Sequence, residues 1–164
     1  MRKRLSPSIA STDVELRPLS FLHRFLAYGM HGFFDEIVFT ALYQLVIESF
    51  DPRFIGYTSL FSFIIYGTGS SIIESLFLRL QARHVPCVIR IFLYVLVAFI
   101  IEFSFGLILR QFDACSWDYS DRPLNFMGLI TLTYAPGWAL LGYWQEIFSS
   151  FLLSLRRPMK SKPS

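Results

Sequence analysis

The sequence predicts an all-α membrane protein, a four-helix transmembrane bundle with both ends on the cytosolic side, and three observations predict it. Only 16% of the 164 residues are charged, while 54% are hydrophobic and 18% aromatic; soluble domains carry about a quarter charged residues. The apolar residues gather in four runs, each of the roughly 20 residues a helix needs to cross about 30 Å of hydrocarbon. Lys and Arg are shared very unequally among the connections. A mean hydropathy of +0.48 agrees with this class.

Taken in order, residues 1–21 are polar and basic, with Arg2, Lys3, Arg4 and Arg17. They lack the apolar core and small-residue cleavage site of a signal peptide and read as a flexible cytosolic tail. The bundle occupies 22–154, with spans expected at 22–47, 58–80, 89–109 and 126–153. Between them lie Asp51-Pro52-Arg53, the basic stretch Arg83-His84-Val85-Pro86 and a polar loop over 110–125. Pro52, Pro86 and Pro123 fall in these connections, where a missing N–H does no harm. Pro136-Gly137 falls inside the fourth run and predicts a kink near Leu132, whose carbonyl loses its partner. Residues 155–164 form a basic cytosolic tail.

Orientation follows from the basic residues. Arg2, Lys3, Arg4, Arg17 and Arg24 precede or open the first span, Arg79, Arg83 and Arg90 flank the second connection, and Arg156, Arg157, Lys160 and Lys162 follow the last span. Arg53, Arg110 and Arg122 lie on the other side. Twelve of the 15 basic residues therefore share one side, which four spans with both termini inside explain. The same topology puts Cys87 and Cys115 on opposite sides, too far apart to bridge.

Acids inside the spans carry the most information. Each predicted helix holds a glutamate, Glu36, Glu74, Glu102 or Glu146, and Asp35 and His31 lie close to the first. A charged residue at mid-membrane costs about 2.5–3.5 kcal/mol, so these groups are expected to face one another or a polar cavity. Each glutamate has a small residue four positions away: Gly32, Ser70, Gly106 and Gly142, and Gly67 extends the stripe on the second helix. Residues four apart share a face, and small ones let helices approach closely. A tight bundle with a small, acidic seam is expected. Glu36 falls near the middle of its span, Glu102 somewhat outward, and Glu74 and Glu146 toward the cytosolic end. Their expected partners are His31, Arg79, Arg110 or a bound cation.

In the outer loop, Trp117 and Tyr119 are expected at a membrane interface and Asp118 in a turn. Alternatively the loop folds back over the acids. No phosphate-binding G-x-x-x-x-G-K-[ST], H-E-x-x-H, E-x-x-H or G-x-S-x-G occurs, so no nucleotide, metal, cofactor or catalytic residue is expected. The basic residues sit at the ends of apolar runs without interleaved aromatics, which excludes a nucleic-acid face. The expected partners are the lipid bilayer and either another membrane protein or a second copy.

Several stretches together resemble a known family: His31-Gly32-Phe33-Phe34-Asp35-Glu36, Ile65-Tyr66-Gly67-Thr68, Glu102-Phe103 with Gly106, Leu109-Arg110-Gln111-Phe112, and Trp117-Asp118-Tyr119-Ser120 followed by Asn125 to Leu132. They are similar to the animal transmembrane protein 229 family and, more loosely, to bacterial ABC-transporter type IV membrane proteins. Leu129 stands where the bacterial pattern carries Arg after Gly128. The resemblance implies a multi-pass membrane protein without an assigned reaction. Three functional readings follow: a transport-like subunit with an acidic intramembrane seam, an accessory subunit of a larger membrane assembly, and a lipid-acting enzyme using a buried carboxylate.

Overall fold

Pro136 opens a helix that the sequence reading has it break. In the computed structural model, which describes residues 16–48, 50 and 52–158, helix α4 runs Ala135–Ser154 with this proline in its first turn. That position suits proline, since the first helical N–H groups have no intrahelical partner. The expected helical stretch from 126 to 134 is instead a short hairpin followed by a 3₁₀ turn, Leu132–Tyr134. No kink arises at Leu132.

The other three helices lie close to their expected spans. Helix α1 is Phe21–Tyr43, continued by a π-helical turn Gln44–Glu48; α2 is Leu60–Ala82 and α3 is Cys87–Arg110. The ends of α2 have identifiable causes. Ser59 accepts from the Phe61 N–H at 3.2 Å and starts it. At the other end, His84 takes a left-handed φ of 54°. Val85 N–H then donates to Leu80 O and His84 N–H to Gln81 O, the paired bonds that close a helix terminus. Helix α3 stops the same way, through Asp113 and Ala114 onto Arg110 and Leu109.

Neighbouring helices run antiparallel, and the largest interface joins α1 to α2. Short strands β1 (Leu16–Pro18) and β4 (Arg156–Pro158) pair antiparallel and tie the start of α1 to the end of α4. They belong to the two segments expected as tails; residues 1–15 and 159–164 of those segments, with Arg2, Lys3, Arg4, Lys160 and Lys162, lie outside the described residues, as does Asp51. Strands β2 (Asn125–Phe126) and β3 (Ile130–Thr131) form the hairpin in the α3–α4 connection. Its turn uses Met127 and Gly128 at φ 55° and 67°, the two positive values a type I′ turn requires.

Polarity is distributed inside out. Buried positions include Ser62, Ser71, Glu74, Glu102, Gln145, Glu146 and Ser149, whereas Phe34, Ile100, Leu140 and Phe151 face outward. Water would penalise such an arrangement and hydrocarbon favours it. Among the described residues, α2 and α3 are long and apolar enough to cross a membrane, with mean hydropathies of 1.4 and 2.5.

Candidate functional site

The predicted acids do not share one seam; they occupy two levels with different chemistry. At the level of the α1 and α3 N-termini, each acid is held by an arginine. Arg24 grips Glu74 through two bonds of 2.8 and 2.9 Å, and Tyr28 donates to the same carboxylate at 2.6 Å. Arg90 grips Glu146 at 2.6 and 2.7 Å, and Tyr94 donates at 2.9 Å. Fork-on-fork pairing is the strongest form of this contact. Each arginine also donates to a carbonyl five residues earlier, Leu19 and Val85 respectively. Ser149 accepts from Gln145 at 3.0 Å and shares a 2.9 Å hydroxyl contact with Tyr28, in which the serine donates because the phenol's one proton bonds Glu74; this links α1 to α4.

These pairings replace the expected ones. Arg79 makes no ion pair among the described residues, and Arg110 donates to the Met127 carbonyl at 2.7 Å. His31 is paired, but with Asp35 at 2.7 Å through Nδ1. Its Nε2 accepts from the Trp144 indole N–H at 2.8 Å. An indole nitrogen can only donate, so the network places the histidine proton on Nδ1. Its ring also stacks on Phe148. His31 and Asp35 therefore lie on the α1–α4 face, away from Glu74 and Glu146.

The second level lies farther along the helices. Glu36 accepts from the Thr58 hydroxyl at 2.6 Å. Glu102, 9% exposed, accepts from the Tyr119 hydroxyl at 2.9 Å through Oε1. Its Oε2 is buried and makes no hydrogen bond of regular geometry; the donor it faces is the Trp138 indole N–H, itself without another partner. Glu36 is close enough for the two charges to repel, and the Tyr66 phenol lies within electrostatic reach of Glu36, Glu102 and Asp35. A buried carboxylate without a cation or a full set of hydrogen bonds is costly. This is where the fold concentrates unused polar capacity.

The outer loop folds back as the second of its two expected arrangements. Trp117 donates its indole N–H to Leu129 O at 3.0 Å, and Tyr119 N–H donates to Gly128 O at 2.8 Å. Tyr119 points its hydroxyl inward to Glu102; burial, with that carboxylate nearby, raises the phenol far above its ordinary value and keeps it a donor. Asp118 forms the expected turn, accepting from the Ser120 hydroxyl and N–H. Those bonds hold its carboxyl below the usual range. Asn125 fastens the hairpin, donating to Arg122 O and accepting from Gly128 N–H. Leu129 is fully buried.

Small residues lie at the close approaches, and their neighbours are rings. A Cβ on Gly32 would overlap the Tyr66 ring; one on Gly67 would lie 2.9 Å from the Phe25 ring. On Gly106 it would meet Leu129 at 2.8 Å and Trp117 at 3.2 Å, and on Gly142 Tyr94 at 3.3 Å. Ser70 is half-buried. Gly142 thus gives Tyr94 the room to reach Glu146.

Arg24, Tyr28, Arg90 and Tyr94 are functional partners that the sequence reading missed, yet a signal was present. Arg-x-x-x-Tyr followed by seven residues and Glu occurs twice, as Arg24, Tyr28, Glu36 and as Arg90, Tyr94, Glu102. A second constant spacing relates Gly56 to Gly128, Ser59 to Thr131, Tyr66 to Trp138 and Glu74 to Glu146. Ser59 and Thr131 even accept from the N–H two residues on in the same manner. The α1–α2 and α3–α4 hairpins are thus two versions of one unit.

Two long apolar helices around buried, paired charges define a helical membrane protein. The chain belongs to the family described as Putative ABC-transporter type IV, whose model matches residues 23–160. No solved structure matches it.

Proposed function

We propose that the chain is a transport-like membrane subunit of the transmembrane protein 229 type, crossing the bilayer four times with both termini in the cytosol, and that Glu36 and Glu102 form its station for a proton or small cation. One observation carries this reading: Glu102 is buried with no cation partner and with one carboxylate oxygen that meets only the Trp138 indole, outside regular hydrogen-bond geometry, beside a second acid from the matching position of the other hairpin. Glu74 and Glu146, by contrast, are each neutralised by an arginine. Ion sites of membrane transporters lie where two repeats meet, and intramembrane acids mark such pathways. Four spans are supported by the exposed apolar side chains on α1 and α4 as well as on α2 and α3. Helices α1 and α4 carry charge, but Arg24, Glu74, Arg90 and Glu146 cancel in pairs at one end. The excess of arginine at that end supports the orientation.

The test is proton or monovalent-cation flux into proteoliposomes. Flux that is present with the natural protein and abolished in the Glu36→Gln, Glu102→Gln double variant supports the proposal. Flux unchanged by the double substitution, or none above empty vesicles from folded protein, rejects it.

A further inference from the structure

Although the two hairpins repeat each other at their ion pairs, they differ along one outward face. On α2 that face carries Thr68, Ile72, Ser75 and, in the last turn, Arg79, spaced at helical intervals, with the buried Ser71 at its floor. With Phe25 of α1 and Val97 of α3 it lines a groove of about 690 Å³. By the same spacing that relates Glu74 to Glu146, the α4 counterparts of Thr68, Ser71, Ser75 and Arg79 are Leu140, Tyr143, Ile147 and Phe151. All four are exposed bulky apolar groups. Where α4 presents an ordinary lipid-facing surface, α2 is hollowed out and ends in a cation.

We propose that this groove holds one membrane phospholipid with an anionic headgroup, its phosphate on Arg79 and an acyl chain lying along Ser75, Ser71 and Thr68. Three features fit that occupant. First, Arg79 makes no ion pair or hydrogen bond among the described residues, and Arg83, one turn on, makes none either; Arg24 and Arg90 at the same end are consumed by Glu74 and Glu146. An unpaired guanidinium at a helix end is matched to a phosphate, which it grips with two donors. Basic pockets between membrane helices at one face are recognised sites for anionic headgroups. Second, Ser71 and Ser75 already donate to Gly67 O and Ser71 O of their own helix, at 2.7 and 3.0 Å. Their hydroxyls are therefore satisfied, and what they offer the groove is depth and a nearly apolar wall. Third, Thr68 to Arg79 spans roughly 16 Å at about 1.5 Å per residue. That is about half of a hydrocarbon core of about 30 Å, the depth of one leaflet. The inference rests on α2 and its groove walls and does not depend on ion movement at Glu102.

Native mass spectrometry of the full chain, released from nanodiscs of mixed phosphatidylglycerol and phosphatidylcholine, tests it. One phosphatidylglycerol retained per chain, in preference to phosphatidylcholine, is expected. Arg79→Gln should reduce retention about fivefold, the value of one cation near a phosphate. Ser75→Ile, which installs the residue α4 carries, should remove the bound lipid by filling the groove while leaving every charge in place. Both variants should melt in detergent at the natural temperature, since neither side chain is buried in the core. Retention unaffected by either substitution, equal retention of both lipids, or a second copy of the chain cross-linked through Ser75→Cys would overturn the proposal.

Discussion

The arginine-held carboxylates and the Glu36–Glu102 centre hold the same chemical group in opposite states. Glu74 and Glu146 each receive two arginine donors and a tyrosine hydroxyl; Glu102 receives one tyrosine, has no cation, and turns its other oxygen to the Trp138 indole outside regular hydrogen-bond geometry. Glu74, Glu146 and Glu102 are all buried, so burial alone does not separate a structural acid from a working one. What separates them is whether the fold has supplied a full set of partners. A saturated pair resists change because any displacement strands a charge. An unsaturated carboxylate stores capacity for a ligand.

That contrast can be broken at its strong side first. Glu74→Ala and Glu146→Ala each leave a half-buried arginine without its carboxylate and should each cost about 1.5–3 kcal/mol, read as a large fall in unfolding midpoint in mixed micelles. If the two costs differ severalfold, the ion pairs are not equivalent members of a repeat. Exchanging the partners, Arg24→Glu with Glu74→Arg, should recover part of the loss.

The helix crossings come next. Gly32→Ala drives a methyl into the Tyr66 ring and should cost about 1–3 kcal/mol. Gly137→Ala has nothing within 4 Å to meet and should leave the melting temperature unchanged. A neutral Gly32→Ala would show that α1 and α2 are not in the close contact described.

Smaller effects report on the outer loop. Trp117→Phe leaves the Leu129 carbonyl without its donor, a loss of about 1 kcal/mol. Amide exchange over 117–131 should quicken while exchange in α2 stays fixed. The smallest effect is a pH response of the turn at Asp118. Because the Ser120 hydroxyl and N–H lower its carboxyl below the ordinary 3.8, the stabilisation is fully present above that value. It disappears as pH falls through the lower, folded value. Trp117 fluorescence should follow this step in the natural protein and lose it in Asp118→Asn.

Much of the helical content was legible because hydrophobic length is a local property. Spans near 22–47, 58–80 and 89–109 show in the run of apolar residues, and α1, α2 and α3 lie on them. The start of α4 was not legible. Phe126 to Leu132 is as apolar as a helix, and only the left-handed pair Met127-Gly128 and the burial of Leu129 against Gly106 make it a hairpin. Those contacts come from residues far apart in sequence.

The partners of the acids follow the same division. Composition alone determined that the acids must be hidden, because hydrocarbon cannot solvate charge, and the spacing of Gly32, Gly67, Gly106 and Gly142 marked the faces that approach. Which cation meets which acid was decided only by the antiparallel packing, which brings Arg24 at the start of one helix to Glu74 near the end of the next and leaves Glu102 without a cation. A sequence records what each residue can donate or accept, but hydrogen bonding acts over about 3 Å, and only the packed chain brings distant residues that close.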